Sequence, residues 1–192
     1  MLTKLRSNVK CLTTPIAKFF VSCGFTPNTI TLLGLVVAIP VPIIAYLELP
    51  LWLIPLLIFL SAFFDAIDGE VARITGKVSK LGAFMDSTID RIEDSLYITT
   101  LIFLEFNIVL VITLLVTSLM ISYVRARAEG LGLKMEGVGI IERSERVIFL
   151  ALITLTYIIN KLASMIAFYV LIILSVITLV QRIAYVAKNV RM

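Results

Sequence analysis

Blocks of apolar residues separated by short charged clusters run along most of this chain. From residue 26 onward the blocks are hydrophobic on every side rather than on one helical face, and several suit a bilayer core of about 30 Å. Their limits predict six spans, at about 26–47, 51–73, 82–104, 107–130, 142–160 and 162–188. Residues 2–20 differ: Lys4, Arg6, Lys10 and Lys18 fall among apolar positions, which predicts an amphipathic helix on the membrane surface. Thr26-Pro27-Asn28 supplies a helix start, while Pro40 and Pro42 should kink or loosen the first span. The connections near 48–50, 105–107 and 160–162 are so short that the helices they join should be antiparallel neighbours. The expected fold is all-α and integral to the membrane: six transmembrane helices in one bundle, preceded by the interfacial helix, in a single domain over residues 1–192.

Composition sharpens this picture. The chain is 60% hydrophobic and only 16% charged, where a soluble domain carries about a quarter of charged residues. A soluble helical protein with a large core is therefore the poorer reading. Of 17 Lys and Arg residues, only Lys161 falls on the side of the short loops. The rest lie at or beyond the opposite ends of the spans, so both termini and the charged loops are expected in the cytoplasm, with the protein in the plasma membrane. Residues 1–18 lack the continuous apolar core and cleavage site of a secretory signal. Histidine is absent, which removes the commonest general base and transition-metal ligand and leaves the chemistry to carboxylates and hard cations. Cys11 and Cys23 show no metal-ligand spacing, and no nucleic-acid partner is expected.

Acidic residues at the ends of membrane helices are costly and mark a functional site by default. Asp65 and Asp68 are three apart and share a helix face; Asp86 and Asp90 are four apart and share another. The loop between their helices brings both pairs to one cytoplasmic end. Four converging carboxylates repel one another unless a cation holds them, and oxygen-only ligands favour Mg²⁺, Mn²⁺ or Ca²⁺ over zinc. A solvated face paired with Arg73, Lys77, Lys80 and Arg91 explains the four aspartates poorly, because they sit among Phe63, Phe64, Ala83, Phe84 and Ile89. For Glu70, Glu93 and Asp94 the solvated face and the functional site are both open readings. Gly69 and Gly82 can serve close helix packing, or close approach of a ligand to the backbone.

The pattern Asp65-x2-Asp68-Gly69-x2-Ala72-Arg73-x8-Gly82-x3-Asp86-x3-Asp90 fixes eight residues at set spacing. It resembles in full the signature of the CDP-alcohol phosphotransferase family, and residues 26–31 resemble that family's N-terminal pattern. The resemblance implies that Asp65, Asp68 and Asp86 bind two divalent cations, Mg²⁺ or Mn²⁺, with Asp90 nearby. It further implies that Asp90 is the base for the acceptor hydroxyl. Asn28, Thr29, Ile30, Thr31, Gly69, Arg73 and Ser79 would hold the CDP portion of a CDP-activated lipid, with Arg73 facing the diphosphate. Members are commonly homodimers. Such transfer needs chiefly positioning and charge neutralisation, which cations and an arginine supply.

The acceptor is set elsewhere. Arg125, Arg127, Lys134, Arg143 and Arg146 cluster at the facing ends of the fourth and fifth spans. They could line a pocket for an acceptor phosphate, or snorkel to lipid head groups. Residues 122–129 and 139–148 resemble the branch of the family that makes phosphatidylinositol phosphate and its archaeal ether-lipid counterpart, which implies inositol phosphate as acceptor. Glycerol 3-phosphate and serine are the rivals. A small cation transporter is the non-enzymatic alternative, and it predicts a polar path to the far side of the membrane. No acidic residue lies near the middle of the last three spans to form one.

Overall fold

The computed structural model describes residues 6–190, and among these it is helical with no strand. The first four positions of the predicted interfacial stretch, Lys4 among them, lie outside the described residues; the remainder forms α1 (Arg6–Ser22). The first predicted span is divided into α2 (Pro27–Ala38) and α3 (Pro40–Tyr46). Thr26 caps α2, its hydroxyl accepting from the Thr29 N–H at 3.3 Å, and Pro27 occupies the first turn, where its missing N–H costs nothing. Ile39 keeps helical dihedrals and still donates to Leu35 O at 3.0 Å. The break comes at Pro40, which has no N–H to continue the ladder. The hydrogen-bond ladder is thus loosened inside the predicted first span.

The remaining elements are α4 (Leu53–Thr75), α5 (Lys80–Phe103), α6 (Ile108–Gly130), α7 (Arg143–Ile159) and α8 (Lys161–Asn189). Each coincides with a predicted span to within two residues at either end. The segments Pro27–Tyr46, Ile108–Gly130 and Lys161–Asn189 are long and apolar enough to cross a membrane. Helices α4 and α5 carry the acidic residues that dilute their apolar character, and α7 has only 17 residues. Glu48 and Glu105 adopt left-handed backbone, with φ of 51° and 61°, in the tight turns that follow α3 and α5.

Two packed regions fix the bundle. The larger joins α3 to α8 through residues such as Ile58, Tyr97, Leu101, Leu150, Phe168 and Leu171, all nearly free of water. The smaller lies beneath α1, where Ala17 meets Ile30, Ile67 and Val71. Between them, helices α2, α4, α5 and α7 come together. There the acidic ends of α4 and α5 meet the basic start of α7. Large apolar side chains such as Phe59, Ile112, Val116, Ile166, Ile173 and Val180 point outward, as helices surrounded by hydrocarbon require.

Candidate active site

Helical periodicity places the acids. Along α5, positions 86, 90, 93, 94 and 97 fall on one stripe, and the structure turns it towards α4 and α7. Carboxylate oxygens of Asp65, Asp90 and Glu93 all lie within 4.8 Å of one another. Arg143, the first residue of α7, reaches into this group. Its Nη1 lies 2.8 Å from Asp65 Oδ2 and 2.9 Å from Asp90 Oδ1, its Nη2 2.8 Å from Glu93 Oε2, and its Nε 3.3 Å from Asp94 Oδ1. Arg146, one turn along and 2% exposed, donates to the other oxygen of Asp94 at 2.8 Å. Ser61 donates to Glu93 Oε1 at 3.0 Å.

Asp68 takes a different partner. Its Oδ2 accepts from the Thr31 hydroxyl at 2.6 Å. Asp68 and Asp86 both face a cavity of about 320 Å³, which Asn28, Thr31, Gly69, Arg73, Ser79 and Gly82 also line. Six of the positions expected to hold CDP or to sit against it are therefore gathered at one cavity. Thr29 and Ile30 are not. The Thr29 hydroxyl shares a 2.7 Å hydrogen bond with Thr26, and Ile30 is fully buried in the small core. Arg73 is held from below by Glu70, whose Oε2 accepts from its Nε at 3.0 Å, while Thr14 of α1 donates to Glu70 Oε1 at 3.1 Å.

A second, larger crevice of about 1250 Å³ runs between α5 and α6, lined in part by Asp86, Asp90, Arg91, Tyr123 and Arg125. Asp86 stands on the wall common to both spaces. Of the five basic residues expected at an acceptor phosphate, only Arg125 faces the crevice, paired with Glu129 at 2.9 Å. Arg127 and Lys134 are exposed. Arg143 and Arg146 are spent on the carboxylates.

The solvated-face reading of the flanking acids is overturned. Glu93 is 0% exposed, Asp94 3% and Glu70 8%, and their partners are Arg143, Arg146 and Arg73. Helix α8 adds a residue absent from the expected set. Arg182 is buried and donates to Val138 O at 3.0 Å and to Ile121 O at 2.9 Å. One turn earlier, Thr178 Oγ1 accepts from the Ile141 N–H at 3.1 Å. Gly139 (φ 113°) lies so close that a Cβ there would come within 2.6 Å of Thr178 Cγ2. Together they pin the loop ahead of α7, and so fix where Arg143 enters. The signal in the sequence is a polar pair four residues apart inside an apolar helix.

The donor set suits a hard cation. It is all oxygen, and Asp65 Oδ1 is buried without a hydrogen bond, leaving a lone pair open to a cation.

Comparison with known proteins agrees with this geometry. The family model described as CDP-alcohol phosphatidyltransferase matches residues 25–187. The archaetidylinositol phosphate synthase of Pyrococcus horikoshii is 39% identical over the full length of both chains. That of Aeropyrum pernix is 38% identical, covering 98% of this chain and 97% of its own. The crystal structure of Mycobacterium tuberculosis phosphatidylinositol phosphate synthase with CDP-DAG bound superposes with a TM-score of 0.80 at 32% identity, over 91% of this chain and 92% of that one. The same synthase in complex with manganese and citrate gives 0.81, over 91% and 88%. With its signature aspartates and these relatives in agreement, the chain belongs to the CDP-alcohol phosphatidyltransferase family of enzymes.

Proposed function

We propose that this protein transfers a phosphatidyl or archaetidyl group from a CDP-activated lipid to inositol phosphate, releasing CMP. The observation that carries the proposal is the position of Asp86. It separates a cavity lined by Asn28, Thr31, Gly69, Arg73 and Ser79 from a crevice that holds Asp90 and Arg125. The first suits the CDP portion of the donor and the second suits a phosphate-bearing acceptor, so the two substrates meet at the aspartates. Relatives along the full chain are archaetidylinositol phosphate synthases, which favours inositol phosphate over glycerol 3-phosphate or serine.

Asp65, Asp68, Asp86 and Asp90, with Glu93 beside them, are the residues that would hold divalent cations, Mg²⁺ or Mn²⁺. Bound there, such ions would neutralise the diphosphate and acidify the acceptor hydroxyl. The chain's own groups do the rest. Arg73, steadied by Glu70, faces the cavity and neutralises donor phosphate charge. Thr31 holds the Asp68 carboxylate still. Asp90 takes the proton as the hydroxyl oxygen attacks the phosphorus on the lipid side. The bond from that phosphorus to the CMP oxygen breaks, and CMP leaves as an anion. Arg125, with Arg127 and Lys134 at the same end, attracts the acceptor phosphate, while Arg143 and Arg146 are held by the carboxylates.

In the membrane we place six crossings, with α4, α5 and α7 completing the three apolar ones and α1 lying at the cytoplasmic surface. Lipid tails then stay in the bilayer while the head group reaches the polar cavity. The test is CMP release by purified protein in detergent with Mg²⁺ or Mn²⁺, ester and ether CDP-lipids, and inositol phosphate, glycerol 3-phosphate, serine or inositol as acceptor. Turnover with inositol phosphate alone is the expected result. Turnover only with glycerol 3-phosphate or serine would move the protein to another branch of the family.

A further inference from the structure

The guanidinium of Arg143 has two differently engaged halves. Nη2 and Nε rest on Glu93 Oε2 and Asp94 Oδ1, at 2.8 and 3.3 Å, and those acids are themselves fixed by Ser61 and Arg146. Nη1 instead bridges Asp65 Oδ2 and Asp90 Oδ1, at 2.8 and 2.9 Å. These two aspartates come from different helices and belong to the expected cation set. A divalent cation would bind the same oxygens at about 2.0–2.6 Å, in the space that Nη1 bridges.

The position of Arg143 is also costly to its own helix. It opens α7, whose first turn is capped by Glu142 and Glu145, and a positive charge at a helix N-terminus opposes the helix dipole. A locally unfavourable residue with four acidic partners points to a role outside helix formation.

We propose that Arg143 is the site's built-in cation: it competes with a divalent ion for Asp65 and Asp90, while Glu93 and Asp94 anchor it so that only Nη1 yields. This rests on the reading of the aspartates as a cation site. Its consequence is that metal affinity is set below what the carboxylates alone would give. The carboxylates stay paired whether or not an ion is bound, and the released Nη1 remains beside the reacting groups as a donor.

The test is direct Mn²⁺ binding, read from the free-ion EPR signal, to full-length protein in detergent without lipid substrate. Arg143→Gln is expected to bind Mn²⁺ tighter by about tenfold or more, the scale on which groups around metal ligands shift affinity. It should also melt at a lower temperature in chelator and gain more from added Mn²⁺ than the parent does. Asp94→Asn combined with Arg146→Met loosens the anchor without touching an expected ligand or stranding the buried Arg146 charge, and should tighten binding to a smaller extent; it keeps the test open if Arg143→Gln does not fold. Arg125→Gln removes a charge from the crevice and should leave affinity nearly unchanged. Unchanged or weaker Mn²⁺ binding in the Arg143 and Asp94 variants would overturn the proposal, as would an equal gain in Arg125→Gln. If the parent binds no Mn²⁺ and Asp65→Asn makes no difference, the cation site itself falls, and this inference with it.

Discussion

The Thr31 hydroxyl donates to Asp68 Oδ2 at 2.6 Å, tying α2 to α4 across 37 residues of sequence, with both residues nearly buried. A hydrogen bond to a carboxylate contributes about 1.5–3 kcal/mol, and this one also fixes which way Asp68 faces. Thr31→Val keeps the shape of the side chain and removes the donor. The expected outcome is a rise of about 10–100-fold in the Mn²⁺ concentration needed for half-maximal CMP release, with near-normal activity at saturating metal. Thr31→Ser should stay close to the parent. Equal metal titrations for Val and Ser would show that Asp68 needs no support.

Asp90 is the base of the proposed reaction, and it faces the crevice that holds Arg125. Asp90→Asn preserves size and some hydrogen bonding but cannot take up the proton. CMP release should fall by about 10²–10⁴-fold or more, the usual contribution of a positioned acid or base, while the protein still elutes as folded material and binds CDP-lipid. Substantial turnover in this variant would move the base to another group.

Arg146 has a different task. It is 2% exposed and held to Asp94 Oδ2 at 2.8 Å, inside the protein and away from both cavities. Removing one partner of a buried ion pair costs about 3–5 kcal/mol, because the other charge is left stranded. Arg146→Met should therefore lower the melting temperature sharply, and Asp94→Asn added to it should restore part of the loss. A thermal shift series on the single and double variants reads this directly. If the double variant melts no higher than Arg146→Met alone, the pair is not what holds α7 to α5.

Sequence patterning reached the helices and one half of the site. Apolar runs bounded by charge or proline marked α4 to α8 to within two residues, because a helix in hydrocarbon is specified mainly by its length and polarity. Spacing paired Asp65 with Asp68 and Asp86 with Asp90, while Glu93 and Asp94, which the structure shows continuing the Asp86–Asp90 stripe one turn further, stayed open between two readings. Their adjacent arginines and lysines made a solvated face equally plausible, since pairing along the chain cannot show burial. The entry of Arg143 among the acids depends on how α7 packs against α4 and α5, and that is tertiary information. Arg182 was obscured for another reason: a positive charge near the end of a span already satisfies the topology rule, so its spacing from Thr178 was the one trace of its burial against Val138 and Ile121.

The two motif glycines make the donor cavity testable, because the structure assigns them different surroundings. A Cβ on Gly69 would meet nothing nearer than Arg73 Nη1 at 3.9 Å, so it would stand in open cavity. A Cβ on Gly82 would crowd Ser79 Oγ at 3.1 Å and Asn28 Oδ1 at 3.3 Å. Helix propensity favours alanine over glycine by about 1 kcal/mol in both helices. Gly69→Ala should thus leave the melting temperature unchanged or slightly raised, yet increase the KM for CDP-lipid, since the methyl group occupies space that the nucleotide would use. Gly82→Ala should displace the cap of α5 and the Asn28 side chain together, so that stability and CDP-lipid affinity fall in step. Thermal melts beside CDP-lipid titrations of CMP release separate the two cases. A Gly69→Ala protein with parental KM would mean that the nucleotide does not approach this face of α4, and the 320 Å³ cavity would lose its assignment to the donor.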